Sequence, residues 1–234
     1  MGIDVLGEAI AGIPLALPAW TQLVAAGVGA VSGAVYAAKR GFDVVGVLLL
    51  AVAEGLGGLL LRDTLLQTGT SIVLLDGRYL LVATAAAAVG FFFAGLVDRL
   101  EGVILVLDAL ALGFFCTVGA DSALSISLSP VAAVFTGTVT AVGGLVLRDL
   151  LAGDAPRVLR PGVFTAAAAF LGALAFVLLE TLTSLPSGQS QIIAMLVVFA
   201  VRLLAVRLEW RTRAASDISD RVWAVWARSE DGAP

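Results

Sequence analysis

Histidine is absent from this 234-residue chain, and cysteine occurs once, at Cys116. Without imidazole and with a single thiol, zinc sites and His-based acid–base catalysis have no residues to build on. A lone Cys116 inside an apolar run closes no intrachain disulfide, so it reports nothing about redox compartment. Charge is scarce as well, at 14% of residues against about 25% in soluble domains. No nucleophile–base or metal-ligand constellation is visible, so neither an enzyme nor a cofactor is expected. No nucleic-acid partner is expected either.

Apolar surface is what the chain has in excess. Hydrophobic residues make up 60% and the mean hydropathy is +1.04, more than a water-soluble core absorbs. The apolar residues come in runs close to the length that crosses a hydrocarbon layer of about 30 Å, so lipid is the expected solvent. The runs cover residues 18–38, 43–61, 79–97, 102–120, 129–147, 163–182 and 190–206, which predicts seven transmembrane helices. Short turn-rich pieces such as Lys39-Arg40-Gly41 and Gly153-Asp154-Ala155-Pro156 separate them and leave no room for a soluble domain. Residues 1–206 then form one transmembrane domain and 207–234 a cytoplasmic tail. That tail, with Trp210, Trp223 and Trp226 among its arginines, reads equally as a helix at the headgroup level or as a solvated segment.

Asp4 and Glu8 without any Lys or Arg, followed by Pro14 and Pro18, make a secretory signal a poor reading of the first 19 residues. With the amino terminus outside, one face receives Lys39, Arg40, Arg99, Arg157, Arg160, Arg202, Arg207, Arg211 and Arg213, and the other only Arg62 and Arg78. Cytoplasmic loops retain Lys and Arg, so the carboxyl terminus is expected in the cytoplasm of a cell (inner) membrane protein.

The string Gly57-Gly58-Leu59-Leu60-Leu61-Arg62-Asp63 returns 86 residues later as Gly143-Gly144-Leu145-Val146-Leu147-Arg148-Asp149. At the same spacing Gly33-Ala34 falls on Gly119-Ala120 and Gln22 on Asp108. Each copy holds three spans, residues 18–97 and 102–182, with the seventh helix after them. An odd number of spans turns the second copy upside down, as in many transporters, where the pathway runs along the repeat interface near the midplane.

Glu54 lies roughly 16 Å along span two, near mid-membrane, where an ionisable group is costly unless it faces water or a partner. Thr140 stands at the equivalent depth in the other copy. Spacings of three and four put Glu54, Gly57, Gly58 and Arg62 on one helix face, and Thr136, Thr140, Gly143, Gly144 and Arg148 on another. The paired glycines read either as sites of tight packing or as bends whose freed carbonyls line a polar path. Each Arg is expected to meet an acceptor on another helix rather than its neighbour Asp63 or Asp149. Arg62 and Arg148 then either tie helices together or control the mouths of a path. Asp108, several residues inside span four, is expected to be buried against a partner or a water-filled site, whereas Asp121 and Glu180 read as interfacial anchors. The run Phe91-Phe92-Phe93 reads as lipid-facing or packing bulk, as do Phe114 and Phe115, and Cys116 as packing.

The segments Ser32-Gly33-Ala34 to Gly41, the Gly-Gly…Arg-Asp unit, Leu107-Asp108-Ala109-Leu110 and Gly143 to Pro156 resemble the prokaryotic TRIC (trimeric intracellular cation) channels, also labelled glycine-transporter-domain proteins. The resemblance covers nearly all of residues 20–206. It implies a homotrimer in membrane lipid with a pore in each protomer, passage of K+ and Na+, and a pore lined by helices two and five kinked at their glycine pairs. The family commonly carries a third glycine where Leu59 and Leu145 stand, an Asp at Gln22 and a small or hydroxyl residue at Glu54, so milder bends and altered conduction are expected here.

Two functions follow. In a passive cation channel, Glu54, Thr136 and Thr140 offer oxygens to a transient monovalent cation near Glu54 and Thr140, while Arg62 and Arg148 act at the mouths. In a carrier for glycine or another small zwitterion, helix ends at the glycine breaks receive its charged groups.

Overall fold

The computed structural model describes residues 17–97, 101–159 and 164–208. Arg99 and Arg160, the amino-terminal Asp4, Glu8 and Pro14, and the tail from residue 209 lie outside them. Seven long helices follow in order: α1 Ala19–Lys39, α2 Val44–Leu66, α3 Arg78–Val97, α4 Glu101–Ser125, α5 Pro130–Leu151, α6 Thr165–Leu182 and α7 Ser187–Arg207. A one-turn helix Ile72–Leu75 follows α2, and a 3-10 turn Arg157–Leu159 follows α5. Six of the long helices are long and apolar enough to cross a membrane, and the described part of α3, Arg78–Phe93, is apolar but shorter. The chain is an all-helical, multi-pass membrane protein by these elements.

Helices α2, α4 and α5 run four or five residues past the apolar runs that announce them, carrying Arg62, Asp63, Asp121, Arg148 and Asp149 into helical turns. Backbone hydrogen bonding continues wherever these side chains find partners, and hydropathy alone does not mark that limit.

The repeat reaches down to caps and turns. Asp43 caps α2 by accepting from Gly46 N at 2.8 Å, and Ser129, 86 residues on, caps α5 by accepting from Ala132 N at 3.3 Å. Gln67 ends α2 in the left-handed region at φ 51°, and its counterpart Gly153 follows α5 at φ 78°. Gly41 before α2 and Ser127 before α5 match in the same way, at φ 75° and 61°.

Helices α1, α2 and α3 pack together as one unit and α4, α5 and α6 as another, with α7 laid against α4 and α6. The two units meet chiefly through α2 against α5 and α1 against α4. Small side chains fill the interior, among them Ala25, Ala26, Ala30, Ala34, Ala120, Ala133 and Ala173, while Phe92, Val131 and Leu182 are more than three-quarters exposed on the surface. Large apolar groups outside and alanine inside is the arrangement of helices associating in lipid, where close backbone approach replaces the hydrophobic drive. Phe115 and Cys116 are buried packing, as read from the sequence, and Phe91 and Phe93 are exposed beside Phe92.

Candidate functional site

The helix pair α2 and α5 carries most of the residues singled out above. Helical structure is unbroken through Gly57-Gly58 and Gly143-Gly144. The glycines serve a close crossing: a Cβ on Gly58 would collide with the Thr140 carbonyl, and one on Gly144 with the Glu54 carbonyl. A Cβ on Gly57 would meet Leu147, and one on Gly143 would meet Leu61. Exchanging the copies turns each contact into the other. As position rises along α2 it falls along α5, so the helices cross antiparallel and their Arg-Asp pairs stand at opposite ends. The same exchange relates Gly33 against Ala51 and Glu54 to Gly119 against Gly137 and Thr140.

At one end Arg62, 4% exposed, bonds its own neighbour Asp63 through Nε at 2.7 Å and reaches Gln22 Oε1 on α1 at 3.0 Å. Asp63 Oδ2 also accepts from Ser71 Oγ at 2.5 Å and Ile72 N at 3.0 Å, tying down the one-turn helix after α2. A recess with an empty volume of ≈ 400 Å³ opens beside them, lined by Gln22, Arg62, Asp63, Thr68, Thr70 and Ser122 among others. On the loop before α3, the Arg78 guanidinium at 2.6 Å holds the Asp76 carboxyl below its ordinary range.

At the other end Arg148, 1% exposed, pairs with Glu54 Oε2 at 2.8 Å and with Asp149 Oδ1 at 2.8 Å, and Asp108 Oδ1 lies 3.9 Å away. Ser32 Oγ donates to Asp108 at 2.5 Å. Asp149 Oδ2 accepts from Arg157 N at 2.9 Å, the counterpart of the Ser71 anchor in the first copy. The Arg148 guanidinium lies 4.2 Å from the Tyr36 ring centroid, with Arg40 and Arg157 each at 5.0 Å. Tyr36 donates its hydroxyl to Asp154, which also pairs with Arg40 at 2.7 Å.

Two sequence expectations are corrected by this geometry. Both arginines meet their neighbouring aspartate as well as a partner on another helix, because long side chains near a helix end fold back around the last turn. Asp121 is no interfacial anchor: it is 3% exposed and accepts from Leu17 N at 3.1 Å, just before α1. Arg202, which falls inside the seventh apolar run, is 5% exposed within α7 and donates to Thr165 Oγ1 at 2.7 Å.

Glu54, Asp108, Arg148 and Asp149 therefore converge at one end, Arg62 and Asp63 stand with Gln22 at the other, and the four glycines lie between. Thr136 and Thr140 join neither group. Their hydroxyls donate to the Ala132 and Thr136 carbonyls at 2.8 and 2.7 Å, and Thr140 packs over Gly119. Sequence reasoning missed Ser32, Tyr36, Asp154 and the Ser71 and Arg157 anchors. The 86-residue spacing links the two anchors, whereas Tyr36 faces Ser122 in that register and carries no such signal. Among the described residues no group of three or more His, Cys, Asp or Glu side chains is arranged to hold a metal ion.

A helical membrane protein with two like units, crossed at paired glycines and closed by buried ion pairs at each end, is the class that fold and site define. The chain belongs to the glycine transporter family, whose sequence pattern matches it twice, over residues 19–95 and 105–181. It is 32% identical over 189 residues to the inner membrane protein YadS of Escherichia coli K12, covering 80% of this chain and 91% of that one. It is 36% identical to a UPF0126 membrane protein of Deinococcus radiodurans, over 66% of this chain and 74% of the other. Among solved structures, a TRIC trimeric intracellular cation channel orthologue from Rhodobacter sphaeroides matches with a TM-score of 0.75 and 31% identity, covering 81% of this chain and 97% of that one. A chain solved to explain conductance through TRIC cation channels matches with a TM-score of 0.74 and 29% identity, covering 92% and 97%.

Proposed function

We propose that this protein is a monovalent cation channel passing K+ and Na+, with one pathway in each protomer of a homotrimer set in membrane lipid. The observation that carries the reading is the likeness, over almost the whole of each solved chain, to TRIC cation channels. In this reading seven helices cross the membrane, α3 included, and residues 18–97 and 102–182 are copies inverted about an axis through the α2–α5 crossing. The reciprocal contacts at Gly57, Gly58, Gly143 and Gly144 support that axis. The amino terminus lies outside and the tail from residue 207 inside, which puts Lys39, Arg40 and Arg157 with the Arg148 end in the cytoplasm.

Ions pass between α2 and α5 once the crossing loosens, entering past Arg62-Asp63 and leaving past Arg148-Asp149. The excess of carboxylates at the Arg148 end favours cations there. Purified protein in a planar bilayer under a K+ gradient is expected to give a steady ohmic current reversing near the K+ equilibrium potential. Glu54→Gln is expected to move that reversal toward zero, and an unmoved reversal would count against the role of Glu54.

One observation favours the second reading, a carrier for glycine or another small zwitterion. The recess at the Arg62 end places a guanidinium, a carboxylate and several hydroxyls around one small volume. Flux that saturates with glycine and shows counterflow, without ohmic current, would decide for the carrier.

A further inference from the structure

An ionisable side chain inside a span needs a partner or a water-filled path, because hydrocarbon offers it neither. Helix α7 belongs to neither copy and lies against α4 and α6, yet it carries Arg202 on its buried stripe, among Ser190, Ala194, Val198 and Ala205. Arg207 at the end of the same helix is exposed, whereas Arg202 is 5% exposed and turned inward. What Arg202 touches there does not answer its charge. Its Nη1 donates to Thr165 Oγ1, a neutral hydroxyl at the start of α6, and its Nε is buried without a hydrogen-bond partner. A charged group left so calls for an explanation.

Asp108 on α4 is the carboxylate whose charge acts on Arg202, against the opposing charge of Arg157. Asp108 is in turn left short of a cation. Its Oδ1 accepts from Ser32 Oγ at 2.5 Å, while Arg148 stands 3.9 Å away, held by Glu54 and Asp149 at 2.8 Å each. Asp108 and Arg202, each 5% exposed, therefore supply the charge that the other lacks. Set against Glu54, Asp108 and Asp149, the guanidiniums of Arg148, Arg202 and the half-exposed Arg157, 3.7 Å from Asp149, leave no excess of either sign. Without the cation from α7, the two copies would hold one carboxylate too many.

Asp108 also lines, with Glu54, a cavity with an empty volume of ≈ 200 Å³ beside the α2–α5 crossing, and none of the walls of that cavity comes from α7. A charge carried by α7 thus acts on the path through Asp108. We propose that Arg202 sets the strength of the path's attraction for cations by offsetting Asp108, as a positioning residue that lies outside the duplicated units. The proposal rests on the channel reading and gives the seventh helix a part in it. The competing account is a plain tie between α6 and α7 through Thr165, in which the charge of Arg202 is incidental.

Purified full-length protein in planar bilayers tests it by the K+ conductance at low KCl, where fixed charge near the path governs how many ions enter. Arg202→Gln is expected to raise that conductance about twofold or more, with the gain fading in concentrated KCl as the charge is screened. Arg202→Lys keeps the charge and Thr165→Val cuts only the tie, so both should conduct as the wild type does. In an Asp108→Asn background, Arg202→Gln should change nothing. Thermal unfolding in detergent gives a reading that needs no current: Arg202→Gln should lower the midpoint, and adding Asp108→Asn should recover part of the loss. A double variant no more stable than Arg202→Gln would overturn the proposal, as would a gain in conductance shared by Thr165→Val. Wild type without any current sinks the channel reading together with the part of Arg202 in it, whereas a current that Arg202→Gln leaves unmoved at low KCl sinks this inference and spares the channel.

Discussion

At the Arg62 end a buried guanidinium meets one carboxylate and one amide; at the Arg148 end the equivalent guanidinium meets two carboxylates directly and a third at 3.9 Å. The backbones around them keep a common plan, from the caps at Asp43 and Ser129 to the left-handed residues at Gln67 and Gly153. Two side-chain exchanges, Gln22 against Asp108 and Glu54 against Thr140, separate the ends electrically. The copies thus share geometry and differ in charge. Removing each arginine tests this difference most severely. Arg148→Ala leaves three buried carboxylates around a void and is expected to cost about 3–5 kcal/mol. Arg62→Ala leaves Asp63 with Ser71 and Ile72 as donors and should cost less, about 1–3 kcal/mol. Unfolding of both variants in detergent measures the gap, and adding Glu54→Gln to Arg148→Ala should recover part of the larger loss. Equal losses at the two ends would show that the charge difference has no energetic weight.

Much of this architecture was legible in the residues, for stated physical reasons. Apolar runs of membrane length gave the helices, and the duplicated Gly-Gly…Arg-Asp string gave the register of 86 in which caps, turns and crossing contacts all repeat. Helical spacing put Glu54 on the face of Gly58 and Arg62, and that face meets α5. What spacing does not say is which side chain of the neighbouring helix stands opposite. Glu54 and Thr140 were expected to act together, yet each packs over a glycine of its own unit, Gly33 or Gly119, and they lie on opposite sides of the crossing. The true partner of Glu54 is Arg148, 94 residues away in sequence. Asp121 was placed at the interface because its depth was counted from an apolar boundary, whereas it accepts from the backbone N–H of Leu17, just before α1.

The crossing itself should be blind to the charge difference. Gly58→Ala drives a methyl into the Thr140 carbonyl, and Gly144→Ala drives one into the Glu54 carbonyl. Both obstacles are backbone, which cannot swing away, so each substitution is expected to cost about 1–3 kcal/mol. The two losses should agree within about 0.5 kcal/mol and add when combined only if the helices do not shift together to relieve both. A loss confined to one glycine would mean that the two sides of the crossing are loaded unequally, and the common plan would then stop short of the glycines.

The smallest effect concerns the residue that closes α2. Gln67 holds a left-handed conformation that its counterpart Gly153 adopts without a side chain to hinder it. For a residue with a Cβ that conformation costs about 1–2 kcal/mol, while glycine in its place loses about 0.5–1 kcal/mol of backbone freedom on folding. Gln67→Gly, which makes the Arg62 end end its helix as the other end does, should therefore stabilise the protein by about 0.5–1 kcal/mol, read as a small rise in unfolding midpoint. Gly153→Ala should lose a similar amount. If Gln67→Gly instead destabilises, the Gln67 side chain contributes to the Arg62 end in a way that its counterpart Gly153 does not at the other, and the comparison between the ends would have to include their last turns as well as their charges.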